Sequence, residues 1–118
     1  MAVAIIGFGV TMLEDVGRML RDPAGQPIAR EMEVAAARPL EHLAKAIVDA
    51  FAFDLDHAFG FSSGRTRRSL LSAAPRWELF ADGPVGPFDR GPRAGSVRRT
   101  AIAEAIPAPG RRLTFLFD

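Results

Sequence analysis

The sequence contains no cysteine and no tyrosine, and it has a single tryptophan in 118 residues. Without cysteine, disulfide bonds and zinc sites with thiolate ligands are excluded. Without tyrosine, no phenol can serve as a catalytic acid. No apolar run approaches the ~18 residues that a membrane-spanning helix needs, so we expect no membrane insertion. The absence of cysteine fits a reducing compartment, and we expect a cytoplasmic protein.

Catalytic motifs are equally scarce. Only His42 and His57 are available to activate a serine as a nucleophile. The sequence has neither a phosphate-binding G-x-x-x-x-G-K-[ST] loop nor an H-E-x-x-H zinc motif. GFGVTM begins like a dinucleotide-binding fingerprint, but Met12 stands where the third glycine belongs and would block close packing of helix on strand. No enzymatic activity and no cofactor can be assigned from these residues.

The composition is that of an ordinary globular domain. Hydrophobic residues make up 48% and charged residues 25% of the sequence, with a net charge of +1. We expect residues 1–118 to form one domain with a single core. The charge is unevenly distributed, since residues 1–60 carry more acidic than basic side chains and residues 61–118 carry more basic ones.

The stretch 39–61 organises the expected fold. Pro39 suits the first turn of a helix, and apolar residues recur with a 3.6-residue period up to Phe51, which predicts an amphipathic helix over 39–53. The apolar face comprises Leu40, Leu43, Ala44, Ile47, Val48 and Phe51. A second, short helix is expected over 100–106, with Thr100 as its N-cap and Pro107 ending it.

The remaining apolar segments have the character of strands. They are residues 2–13, 28–34, 57–61, 76–80 and 111–118. A bend or bulge is expected near Gly7 and Gly9, and a turn-forming loop over 14–27 joins the first two strands in antiparallel fashion. The sequence therefore predicts an α+β fold, with a mainly antiparallel sheet of four to five strands packed by one long and one short helix. The glycine- and proline-rich residues 81–95 predict an irregular loop.

Three stretches together resemble a known family. AFAFDLDHAFGF follows the long helix, RRTAIAEAIPAPGRRLTFLFD ends the sequence, and IAREMEV is similar to a family strand I-W-R-x-I-E-V. They resemble the plasmid Ri open-reading-frame-three-like family, whose members travel in mycobacterial insertion elements and are called resolvase-like by name only. The resemblance covers most of residues 28–118. It implies a helix-backed, mainly antiparallel sheet and no established reaction.

Two departures from the family pattern matter. Ala29 stands where the family has tryptophan, and the family's G-D-x-W and the strand after it do not follow Asp118. These departures indicate a truncated or divergent member. LTFLF would then be a strand without its usual neighbour, and such an edge tends to pair with another chain. Phe115 and Phe117 on this strand are candidate binding residues, with a homodimer or a partner's strand as the occupant. The alternative is a strand in the middle of the sheet.

Two further candidate sites follow from side-chain chemistry. Asp54, Asp56 and His57 are two carboxylates and an imidazole, which can ligate a divalent metal or form a general base. Alternate residues of a strand point apart, however, so an acidic turn with a hydrogen-bonded His57 is the competing interpretation.

Arginine dominates the second half of the chain. The only lysine is Lys45, and Arg65, Arg67 and Arg68 form a tight cluster. Converging guanidinium groups would bind phosphate or nucleic acid, whereas scattered ones would only be solvated. The nine arginines concerned are Arg65, Arg67, Arg68, Arg76, Arg93, Arg98, Arg99, Arg111 and Arg112.

Three functions remain open from the sequence. The first is a non-catalytic binding or adaptor protein of a mobile-element-associated family, which acts through protein contacts. The second is association with nucleic acid through the arginine-rich half. The third is a metal-dependent enzyme that uses Asp54, Asp56 and His57.

Overall fold

The computed structural model describes residues 3–15, 18–55, 58–66, 68–82 and 94–117. In these residues the chain has the expected α+β fold, with mainly antiparallel strand pairing and two helices. The strands, however, form separate sheets of two, two and four strands instead of one sheet of four to five. None of the helices in the described ranges is long and apolar enough to cross a membrane.

The amino-terminal part is a β-hairpin. Its strands are β1 (Ile5–Thr11), β2 (Leu13–Asp15), β3 (Arg18–Met19) and β4 (Ala29–Ala35). β1 pairs antiparallel with β4 over its whole length, and β2 pairs with β3 as a small extension. The expected loop over 14–27 thus contains two short strands before its turn. In that turn the Asp22 carboxylate accepts the backbone N–H of Gln26 at 2.9 Å, and Gly25 has φ +83°.

β1 pairs regularly through its two glycines, so the expected bulge near Gly7 and Gly9 is wrong. Seven consecutive residue pairs join β1 to β4 without a shift of register, and exposed and half-buried residues alternate along β1. Because β1 is followed by antiparallel strands and not by a helix, the dinucleotide-binding arrangement is absent here.

Helix α1 (Leu40–Ala50) buries the face that its periodicity predicts. It ends three residues earlier than expected, because Phe51 and Ala52 leave the helical conformation and Ala52 has φ +61°. No side chain caps its start. Instead, the backbone N–H groups of Leu40 and Glu41 donate to the carbonyl oxygens of Thr100 and Val97, each at 2.9 Å, which satisfies donors that every helix start leaves unpaired.

The carboxyl-terminal half builds the four-stranded sheet. Its strands are β5 (Phe59–Ser62), β6 (Arg76–Glu78), β7 (Gly95–Ser96) and β8 (Thr114–Phe117), in the order β7-β6-β5-β8. Only the pair β6–β7 is parallel. The expected strand over 76–80 is shortened, because Leu79–Asp82 turn into a 3₁₀ helix.

Helix α2 (Ile102–Ala105) is shorter than the predicted 100–106 helix, and its N-cap is Ala101 with no side-chain hydrogen bond, so the expected Thr100 cap is wrong. Its first N–H groups are satisfied by the main chain before α1: Ile102 donates to Arg38 and Ala103 to Ala36. These bonds fasten α2 to the start of α1.

One hydrophobic cluster holds both halves together. The buried face of α1 packs with Phe59 and Phe61 of β5 and with Ile102 of α2, and the half-buried residues of β1 pack against the same cluster. The expected contact between α1 and the sheet that contains Phe59 and Phe115 is therefore present. Arg30, which the alternation places on the apolar face of β4, lies with its guanidinium carbon 5.2 Å from the centre of the Phe51 ring, a cation–π distance.

Candidate functional site

A groove of about 920 Å³ lies between the two halves of the molecule. Residues 8–13 of the hairpin form one wall, and residues 111–115 around the start of β8 form the other. The floor is formed by Ile47 and Val48 of α1 and by Phe51, which directly follows the helix. The groove therefore runs between two strands that belong to different sheets.

The wall on the hairpin side presents a backbone edge. Ala36 donates to the carbonyl of Ala4 at 2.9 Å and Met12 donates to the carbonyl of Ile28 at 2.8 Å, which fixes the even-numbered residues of β1 as those that bond to β4. The N–H and C=O groups of Gly7, Gly9 and Thr11 consequently point away from β4. Gly9 has no side chain and still lines the groove, so its backbone itself forms part of this wall.

The opposite wall is also an edge strand. Ser63 donates to the carbonyl of Pro75 at 3.1 Å, so the odd-numbered residues of β5 bond to β6 and the even-numbered ones bond to β8. β8 lies at the end of its sheet and pairs with no described strand other than β5. The backbone groups of Leu113 consequently point away from β5. The expectation of an edge strand here fits this order, and the alternative of a central strand does not.

Large apolar side chains are exposed at this groove. Leu13, Met19 and Phe53 line it with exposures of 41%, 42% and 49%. They are half of the six large hydrophobic residues that are exposed in the described ranges. Scattered apolar residues are normal on a surface, but a concentration of them in one concave place is typical of a binding site.

Three arginines border the same groove. Arg65, Arg111 and Arg112 are exposed and line it. Within the described part of the chain, their guanidinium groups make no hydrogen bond or ion pair. Arg98 and Arg76, in contrast, form ion pairs with Glu41 at 2.8 Å and with Glu78 at 3.2 Å.

The predicted arginine cluster is brought together only in part. Arg65 lies at the groove, on a turn in which the Ser69 hydroxyl accepts the N–H groups of residues 65 and 66, each at 3.1 Å. Arg68 is exposed on the same turn but does not line the groove, and Arg67 lies outside the described residues. The cluster of adjacent arginines thus contributes one member to the site, and two others come from residues 111 and 112.

The two candidate phenylalanines, Phe115 and Phe117, both lie on β8. Phe115 is half-buried, lines the groove and lies with its ring centre 5.0 Å from that of Phe61. Phe117 pairs with Phe59 in the β5–β8 ladder. Both residues therefore belong to the strand that walls the groove, and their role in binding stays a prediction.

The predicted metal site is not decided by the described residues. Asp54 is exposed after α1, whereas Asp56 and His57 lie outside the described ranges. Among the residues that the structure does describe, no three histidine or carboxylate side chains converge to hold a metal ion. The predicted irregular loop likewise lies mostly outside, since residues 83–93 are not described.

Sequence reasoning missed the hairpin wall of the site. Leu13 ends the predicted strand 2–13 and Met19 falls in the predicted loop 14–27, and no residue type in either segment indicates a ligand. The detectable signals were on the other wall, where Arg111 and Arg112 precede an apolar terminal strand. No family model, no curated protein and no solved structure matches the chain significantly.

Proposed function

We propose that this protein is a non-catalytic binding module that captures an extended segment of a partner protein as an added β-strand in the groove between β1 and β8. The observation that carries the proposal is that edge strands of two different sheets, β1 and β8, line the same mostly apolar groove. An edge strand offers unpaired N–H and C=O groups, which are a template for another strand.

Strand addition would use both the backbone edge and the apolar floor of the groove. Main-chain hydrogen bonds to Gly9 and Thr11 would supply affinity for any extended segment. Alternate side chains of that segment would face the floor at Ile47 and Phe51, because successive residues of a strand point to opposite sides. The bound segment would thereby cover Leu13 and Phe53, which are otherwise exposed.

The resemblance to the plasmid Ri open-reading-frame-three-like family belongs to the same proposal. It supports an adaptor of a mobile-element-associated family, in which contact with another protein and not a reaction is the function. A cytoplasmic location is part of the proposal, and the absence of cysteine supports it.

The test uses a synthetic heptapeptide of alternating threonine and valine or isoleucine, capped at both ends and labelled with a fluorophore. We expect saturable binding to the intact chain by fluorescence anisotropy. Two further peptides carry N-methyl groups on every second amide, one on its odd-numbered and the other on its even-numbered residues. One of these two should bind at least about tenfold more weakly than the parent peptide, because its methylated amides cannot donate hydrogen bonds to a neighbouring strand. Equal binding of all three peptides would overturn the proposal.

A matched pair of variants at Gly9 isolates the backbone edge. Gly9→Pro removes an N–H that β4 does not use, whereas Gly9→Ala keeps it, and a Cβ there meets no atom within 4 Å. Both variants should fold, as circular dichroism would check, and only Gly9→Pro should lose peptide binding, by about tenfold or more. Undiminished binding by Gly9→Pro would contradict strand addition at β1.

A second copy of the chain is the alternative source of the added strand. Pairing through β8 would give a homodimer, with twice the 12.7 kDa mass of one chain. Light scattering over a range of concentrations would detect it. If a dimer forms, the heptapeptide should dissociate it, because both would occupy the same edge.

A second candidate function is association with nucleic acid, which the three exposed arginines at the groove favour. It predicts affinity for oligonucleotides that falls steeply with added salt. Charge reversal at Arg65, Arg111 and Arg112 together should abolish such binding. An absence of salt-sensitive binding to single-stranded and duplex DNA would remove this candidate.

A further inference from the structure

We infer that the segment captured in the groove is acidic at one end, with carboxylates that meet Arg65, Arg111 and Arg112. This inference rests on the proposed function, which it deepens by stating the chemistry of the partner. The groove combines an apolar floor with a basic border, and an extended apolar segment that ends in aspartate or glutamate complements both.

The three arginines lie at the same end of the four-stranded sheet. Ser62, the last residue of β5, pairs with Thr114, the first residue of β8. Arg65 follows the end of β5, and Arg111 and Arg112 precede the start of β8. The antiparallel pairing therefore brings the three arginines to the same end of the sheet. A peptide strand bound along β8 would therefore place one of its ends beside the three arginines and its remaining residues over the apolar floor.

These arginines are available for a ligand, unlike Arg76 and Arg98. The guanidinium groups of Arg76 and Arg98 are engaged by glutamates of the chain itself. Arg65, Arg111 and Arg112 have no such partner among the described residues, and three like charges at one border favour an anionic ligand. Planar guanidinium groups match carboxylates with two parallel hydrogen bonds.

The same features favour a peptide over a nucleic acid. Single-stranded nucleic acid requires positive charge that follows its phosphates along the whole site. Here the basic residues stand at one end, and the rest of the lining is mostly apolar, including Leu13, Met19 and Ile47. A backbone edge with alternating N–H and C=O groups is complementary to a peptide backbone and has no counterpart in a phosphate chain.

The experiment extends the neutral heptapeptide by two glutamates, placed at either its amino or its carboxyl end, and compares it with the same peptide extended by two lysines. We expect one acidic peptide to bind about tenfold more tightly than the neutral one at low salt, and this gain to shrink at high salt. The lysine peptides should bind more weakly than the neutral peptide because of repulsion.

Matched variants assign the gain to the arginines. The double variant Arg111→Ser and Arg112→Ser should lose most of the preference for the acidic peptide while its affinity for the neutral peptide changes by less than about twofold. Arg68→Ser removes the same charge from the neighbouring turn without touching the groove, and it should retain the preference.

The outcomes separate the two proposals. If the neutral peptide binds but neither acidic peptide binds more tightly, the acidic partner is wrong and strand capture stands. If none of the peptides binds, both proposals fail. Competition by short oligothymidylate that exceeds the effect of the acidic peptide would overturn the inference in favour of nucleic acid.

Discussion

The two edge strands of the four-stranded sheet, β7 and β8, differ in length and in what surrounds them. At one edge, β7 has only two residues, and Gly95 lies against the indole of Trp77. The residues after β7 are fastened to the start of α1 by backbone hydrogen bonds. At the other edge, β8 borders an apolar groove with arginines at one end. The first edge is very short, which is one way in which natural sheets protect their edges.

The difference indicates that the open edge has a use. The β7 edge offers only two residues for pairing, whereas the β8 edge borders a groove with exposed Leu13, Met19 and Phe53. Exposed apolar surface beside an edge strand is a hazard for aggregation unless a ligand covers it. Paired substitutions, one at the closed side (around β7 and the start of α1) and one at the open side (the groove), should therefore have different effects.

The largest expected difference concerns apolar truncation. Leu40→Ala, on the closed side, removes a side chain that is fully buried, and should lower the free energy of unfolding by about 2–5 kcal/mol. Leu13→Ala, on the open side, should lower it by about 0.5 kcal/mol or less, because Leu13 is 41% exposed. Urea denaturation followed by circular dichroism measures both. Similar losses for the two variants would mean that the groove is closed in solution.

A smaller difference is expected at two strand glycines. A Cβ on Gly60 in β5 would lie 2.7 Å from the carbonyl oxygen of Trp77, a backbone atom that cannot rotate away. Gly60→Ala should therefore cost about 1–3 kcal/mol. Gly9→Ala in β1 has open space and should be neutral or slightly stabilising. Thermal denaturation of the two variants is the check, and a destabilised Gly9→Ala would place another segment against the β1 edge.

The smallest difference concerns two arginines. Arg98→Gln breaks the ion pair with Glu41 at the start of α1 and should cost about 0.2–1 kcal/mol, less at high salt. Arg111→Gln at the groove should leave the stability of the free protein unchanged, since no ion pair of Arg111 exists among the described residues. A measurable loss for Arg111→Gln in denaturation at low salt would show that its charge already serves the fold.

The fold was predictable where local pattern and packing agree. The face of α1 followed from the spacing of Leu40, Leu43 and Ile47, and all three are buried. The edge position of the terminal strand agrees with the expectation drawn for LTFLF. The early end of α1 was not predictable, because nothing in Phe51–Ala52–Phe53 distinguishes a helix from the left-handed turn that Ala52 adopts.

The candidate site was less predictable than the fold, since it depends on which strands fail to pair. Sequence pattern gives strands but not their partners, so the division into separate sheets and the groove between them were out of reach. Arg111 and Arg112 were recognisable as charges, but their convergence with Arg65 depends on the pairing of β5 with β8. The chemical properties of the individual residues do not reveal which residues of the two strands pair with each other.

The most direct test is amide hydrogen exchange by NMR with and without the neutral heptapeptide. In the free protein the N–H groups of Phe8 and Val10 should exchange slowly and those of Gly9 and Thr11 quickly, because only the first pair bonds to β4. Saturating peptide should slow Gly9 and Thr11 by at least about tenfold and leave Phe8 and Val10 unchanged. Unaltered exchange at Gly9 and Thr11 in the bound protein would contradict the addition of a strand at this edge.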